Sequence, residues 1–136
     1  VAWAVRGGGA WLDGVAVRVS RRSSLSEAAV STGNLRSLAS SPRWAGLGRI
    51  AAQANRIRGY GDYYHYHRLA AGQIDAVIES DVNILDIAAL TVIVAEAGGV
   101  FTDLEGRKPG LATRSVLAAA PALHAILLDM LNESTE

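Results

Sequence analysis

The chain has 136 residues, half of them apolar, no cysteine, and 13 basic side chains balancing 13 acidic ones. This is the composition of one ordinary globular core, which excludes extended disorder, a basic nucleic-acid-binding surface, a disulfide framework and a thiolate metal site. The longest apolar run, Ile84 to Ala97, is broken by Asp86 and Glu96 and falls short of the ~20 residues that a membrane span needs, so a soluble, cytoplasmic protein without nucleic-acid or membrane partners is expected.

In chain order, Val1 to Arg6, Ala10 to Leu12 and Val15 to Val19 read as three strands joined at Gly7-Gly8-Gly9 and Asp13-Gly14, the second of these a strong hairpin signal. The chain enters on a strand with no initiator Met, so a truncated chain is expected. Ser20 to Ser24 reads as a solvated connection rather than a phosphate patch. Ala28 to Thr32 then forms a strand ending at Gly33-Asn34, and Ser41-Pro42 opens a helix carried by Leu47, Ile50, Ala51 and Ala54. Ile57 to Tyr60 is a strand broken by Gly61, after which Asp62 caps a helix that reaches Ala71 and stops at Gly72.

Ala76 to Glu79 is a strand, Ile84 to Ala97 a long helix closed by Gly98-Gly99, and Val100 to Thr102 a strand. Ser115 to Ala119 is the last strand, followed by a closing helix from Pro121 through Met130. Strands alternating with helices indicate an α/β layer with substantial parallel pairing over residues 21–136. Residues 1–20 look like antiparallel sheet and form a second unit.

Asp86 stands at the head of the apolar helix. An isolated carboxylate is costly to bury, so it belongs at a helix N-terminus or on a cation, and Asn83 is a natural cap that puts Asp86 in the first turn. Glu79, Asp86 and Asp62 each fall at a strand-to-helix junction, where open α/β sheets bind ligands. Three hard oxygen donors on neighbouring loops suit Mg²⁺, although capping or solvent-facing acids would give the same spacing. His65 and His67, two apart, do not share a helix face, so packing or surface roles are expected for them and for His124. Tyr60, Tyr63, Tyr64 and Tyr66 are expected to pack in the core, with a pocket lining as the alternative. No dinucleotide fingerprint, phosphate-binding loop or nucleophile elbow is present.

Leu85-Asp86-Ile87-Ala88-Ala89 with Glu96-Ala97-Gly98-Gly99 resembles the Trp-Asp-x-Ala-Ala…Glu-Ala-Gly-Gly signature of the inositol-monophosphatase-like, metal-dependent phosphatases. Arg6-Gly7-Gly8-Gly9-Ala10-Trp11 and Ala70-Ala71-Gly72-Gln73-Ile74-Asp75 are similar to two further segments of that family. Tyr60-Gly61-Asp62-Tyr63-Tyr64 and Val77-Ile78-Glu79-Ser80 look most like its histidinol-phosphate phosphatase branch. Leu85 departs from the usual Trp, and the family's Asp-Pro-Ile-Asp-Gly-Thr motif is absent from these residues.

The resemblance implies the C-terminal α/β layer of a layered αβαβα phosphatase, preceded by remnant strands of a first domain. It implies that Asp86 is a Mg²⁺ ligand and that Glu79, Asp62, Gly61 and Tyr63 contact the substrate, a small phosphorylated metabolite. Mg²⁺ would lower the pKa of the attacking water and neutralise phosphate oxygens. Inositol monophosphatase activity and a non-catalytic assembly module are the alternatives. A chain holding only this half is expected to be inactive alone, and to dimerise or to take a complementing N-terminal half.

Overall fold

The computed structural model describes residues 1–133. The first three strands, β1 (Ala2–Val5), β2 (Gly9–Leu12) and β3 (Val15–Val17), form an antiparallel sheet in the order β1-β2-β3. After a short 3-10 turn at Leu25–Glu27 come β4 (Ala29–Gly33), α1 (Leu35–Ala39), α2 (Trp44–Gln53), β5 (Arg56–Arg58), α3 (Tyr64–Ala70) and β6 (Ala76–Ser80). The chain continues with α4 (Ile84–Glu96), β7 (Val100–Thr102), β8 (Ser115–Ala119) and α5 (Pro121–Asn132).

The second sheet has the order β5-β4-β6-β8-β7. Parallel pairing joins only β4 with β5 and with β6, whereas β8 pairs antiparallel with both β6 and β7. Parallel pairing is therefore confined to half of the sheet, because β8 turns back from a long loop instead of following a crossover helix. Alternation along the strands divides the core in two. Val77, Val116 and Ala118 face α3 and α4, while Ala76, Ile78, Leu117 and Ala119 face α2 and α5.

The three-stranded sheet covers the other side of α4. Its Ala10, with Ala2, Ala4, Val17 and Val19, joins the same core as Tyr66, Leu90 and Val94. Layers thus stack as sheet, helices, sheet, helices. Two acids fasten the outer sheet and its trailing segment to the rest. Glu96 accepts the backbone N–H groups of Gly7 (3.0 Å) and Gly9 (2.9 Å). Buried Asp75 accepts the Ala29 N–H at 2.8 Å and the Ser20 hydroxyl, with Arg22 at 3.8 Å.

Several expected boundaries shift. Pro42 lies in the turn before α2, which starts at Trp44, so it does not occupy the first helical position. Short α1 was not expected from the sequence. It follows Asn34, whose left-handed backbone (φ 58) turns the chain sharply out of β4. Asp62 does not cap α3: it adopts φ 50 in the turn before, and Tyr63 occupies the cap position without a side-chain bond. No helix among the described residues is long and apolar enough to cross a membrane.

Candidate active site

A cavity of about 480 Å³ opens beyond the carboxyl ends of β4 and β6. It lies where the chain leaves β4 for the α2/α5 face and β6 for the α3/α4 face, the kind of divergence at which open α/β sheets bind ligands. Gly61, Asp62, Tyr63, Glu79 and Asp86 all line it, together with Gly33, Asn34, Tyr66, Asp81 and Asn83. The five residues singled out from sequence thus share one cavity.

Asp86 is positioned by the start of α4. The Asn83 side chain accepts the Leu85 N–H at 2.9 Å, and the Asp86 N–H bonds to the Asn83 carbonyl, also at 2.9 Å. This capped turn holds the Asp86 carboxylate beside the positive end of the helix. The premise of a buried acid is corrected, because Asp86 is exposed and α4 buries only the face of Ile87, Leu90, Ile93 and Val94. Among the described residues its side chain has no hydrogen bond or ion pair. At the far end, Gly98 takes φ 91, the left-handed conformation that ends the helix.

Glu79 sits differently. In register with it on β4 is Gly33, and a Cβ there would overlap the Glu79 Oε2 atom. The bare backbone at 33 is what lets that carboxylate reach the cavity. Its other oxygen, Oε1, accepts the Tyr66 hydroxyl and lies 3.3 Å from His65 Nε2. His65 Nδ1 is 2.9 Å from the Ser31 hydroxyl, whose oxygen also receives the Tyr60 N–H at 3.2 Å. Burial, reinforced by the adjacent Glu79 carboxylate, pushes the Tyr66 phenol up, so it keeps its proton and donates.

This polar network was missed in the sequence, where His65 reads as a packing residue. No signal in the sequence could have found it, because His65 and Tyr66 meet Glu79 only when α3 packs against β6. Of the four tyrosines, only Tyr66 is core, stacked on Phe101 at 5.8 Å between ring centroids. Tyr60, Tyr63 and Tyr64 are exposed. His67 packs on Tyr63 at 5.1 Å, while buried His124 lies 2.8 Å from the Thr102 hydroxyl, and burial pushes it below the ordinary histidine value. The three histidines do not converge.

As a metal centre the donor set is partial. Asp86 is a hard, unpartnered oxygen donor of the kind Mg²⁺ prefers, yet no group of three or more His, Asp or Glu side chains among the described residues could hold an ion. An ion beside Asp86 would need ligands from outside the described residues.

A mixed α/β sheet with acids gathered beyond the carboxyl ends of its parallel strands has the crevice in which open α/β sheets bind ligands. The sequence pattern that describes the inositol monophosphatase family matches residues 1–136. The chain is 36% identical over 117 residues to a histidinol-phosphatase of Streptomyces coelicolor, covering 86% of this chain and 44% of that protein. It is 30% identical over 135 residues to a fructose-1,6-bisphosphatase/inositol-1-monophosphatase of Thermotoga maritima, covering 98% and 51%. The crystal structure of the extragenic suppressor protein suhB from Bartonella henselae superposes with a TM-score of 0.88 at 28% identity, over 96% of this chain and 51% of that one. The chain belongs to the inositol monophosphatase family. It spans about half the length of the curated relatives it matches.

Proposed function

We propose that this chain is part of a Mg²⁺-dependent phosphomonoesterase that acts on histidinol phosphate, with Asp86 supplying one metal ligand and Glu79, Asp62, Gly61 and Tyr63 the substrate wall. The observation that carries the reading is the convergence of these residues on one cavity, with Asp86 free of any protein partner among the described residues. The name of the Streptomyces coelicolor relative, which is 36% identical, favours histidinol phosphate.

When bound, Mg²⁺ would neutralise phosphate oxygens and acidify the attacking water. Asp86 would hold its charge toward that cation from the dipole-favoured first turn of α4. Glu79 would accept hydrogen bonds from the substrate's ammonium or hydroxyl groups, and the Asp62 and Tyr63 turn would close over the same polar end. The remaining metal ligands would come from a polypeptide covering the other half of the relatives' length, or from a second copy.

Exposed Trp3, stacked on Trp11 at 5.5 Å, with exposed Val5 on the same face, offers a surface for either. On this reading residues 1–20 are the end of one domain and 21–136 a second. A cytoplasmic location accords with the absence of cysteine.

The test is phosphate release by the complete polypeptide, including any segment that precedes Val1. Turnover of histidinol phosphate is expected with Mg²⁺ and not with excess chelator. Equal activity in chelator contradicts the metal assignment. The second reading, an inositol monophosphatase, rests on the 30% identical Thermotoga maritima relative and predicts faster turnover of inositol 1-phosphate. A non-catalytic module would release no phosphate with or without an added first half, whereas a split enzyme would regain phosphate release when that half is supplied.

A further inference from the structure

Beneath the cavity, four polar side chains are packed out of water: Ser31, His65 and Tyr66 are 0% exposed and Glu79 is 7% exposed. Such groups are costly to bury unless each is satisfied, and here the donors can be ordered. The Glu79 carboxylate only accepts, so His65 Nε2, 3.3 Å from Oε1, carries a hydrogen. His65 Nδ1 then accepts from the Ser31 hydroxyl at 2.9 Å, and the Ser31 oxygen accepts the Tyr60 N–H at 3.2 Å. Every link donates in one direction, from the backbone of the loop bearing Gly61 and Asp62 to the carboxylate on β6.

Two donors, His65 and Tyr66, thus occupy Oε1 from the interior, while Oε2 lies over Gly33 at the cavity wall. A long flexible side chain is held in one orientation, and the chain of bonds ties it to the opposite lip of the cavity. Neither effect needs His65 to touch a ligand.

We propose that His65, oriented by Ser31, is a positioning residue that aims Glu79 Oε2 into the cavity and thereby sets the preference for ammonium-bearing over amine-free phosphomonoesters. The proposal rests on the substrate-wall reading of Glu79. An ammonium gains a charge-assisted bond from a fixed carboxylate, whereas an uncharged analogue gains little, so loss of aim falls mainly on the charged substrate.

The experiment compares kcat and KM of the complete polypeptide for histidinol phosphate and for the matched imidazolylpropanol phosphate, which lacks the amine. His65→Leu is expected to lower the kcat/KM ratio of the two substrates by about tenfold, the size of one lost hydrogen bond to a charged group, through KM and with kcat within about twofold. His65→Gln, whose amide nitrogen reaches as far as imidazole Nε2, is expected to restore most of the ratio.

An unchanged ratio in folded His65→Leu, or no rescue by His65→Gln, overturns the proposal. Should His65→Leu fail to fold, Ser31→Ala removes only the orienting hydroxyl. A smaller fall in the same ratio supports the proposal and an unchanged ratio overturns it. Glu79→Gln separates the two levels. If it leaves the ratio intact, the substrate-wall reading has failed. If it lowers the ratio while His65→Leu does not, only the positioning role has.

Discussion

The two ends of α4 each carry an acid, and the acids are used in opposite ways. Asp86, in the first turn, is exposed, borders the cavity and has no side-chain partner among the described residues. Glu96, in the last turn, sits where the helix dipole disfavours negative charge, and two backbone N–H groups of the Gly7–Gly9 turn hold it. Those two bonds, backed by Arg6, keep its carboxyl below the usual glutamate range. One acid is available to a ligand and the other fastens the outer sheet. Acids in a family signature therefore divide by what surrounds them: the Glu96 carboxylate is taken up by backbone donors, whereas the Asp86 carboxylate has no partner among the described residues.

The largest effect is expected at Asp86. On the proposed reading, Asp86→Asn in the complete polypeptide should lower phosphate release by ~10²-fold or more, because one ligand to the cation would be lost. Its unfolding free energy should change by less than about 1 kcal/mol, the worth of a charge beside a helix end. Urea denaturation and a steady-state assay on the same preparation check both halves. Wild-type turnover in this variant would remove Asp86 from the site.

A smaller effect is expected one turn back. Asn83→Ala removes the cap that fixes the Leu85 N–H and should cost about 1 kcal/mol, measured by urea midpoint. Fraying of the first turn should also reduce turnover several-fold, since Asp86 depends on that turn for its placement. Unaltered stability would show that the cap is idle.

The smallest effect is at the other end, and it depends on pH. The Glu96 carboxyl is lowered on folding, so its contribution is present above the ordinary glutamate pKa and disappears as pH falls through the lower folded value. Glu96→Gln should lower Tm at neutral pH, approach the wild type as the solution is acidified, and leave kcat unaltered. A Tm difference that grows on acidification would contradict the clamp.

Much of the fold was legible. The Asp13-Gly14 hairpin, the Asn83 cap, the Gly98 stop and Pro121 at the head of α5 are local signals with local causes, and each element lies where they put it. The antiparallel return of β8 between β6 and β7 was not legible, since no pattern within five residues specifies the partner strand. At the site, Asp86 and Glu79 were singled out as acids at strand-to-helix junctions, and both line the cavity. The roles of Ser31, Gly33 and His65 were not, because they exist only once β4, β6 and α3 are brought together. Asp62 was misread as a cap because an Asp before a helix fits that role unless its backbone is left-handed, as it is here.

On the proposed reading Asp86 holds a divalent cation and Glu96 does not. Mn²⁺ binding to the complete polypeptide, followed by the loss of the free-ion electron paramagnetic resonance signal, tests it without reference to turnover. Asp86→Asn should weaken binding at least ~10-fold, as expected for removal of a charged oxygen ligand, and Glu96→Gln should leave it unchanged. Equal Mn²⁺ affinity in wild type and Asp86→Asn would contradict the account.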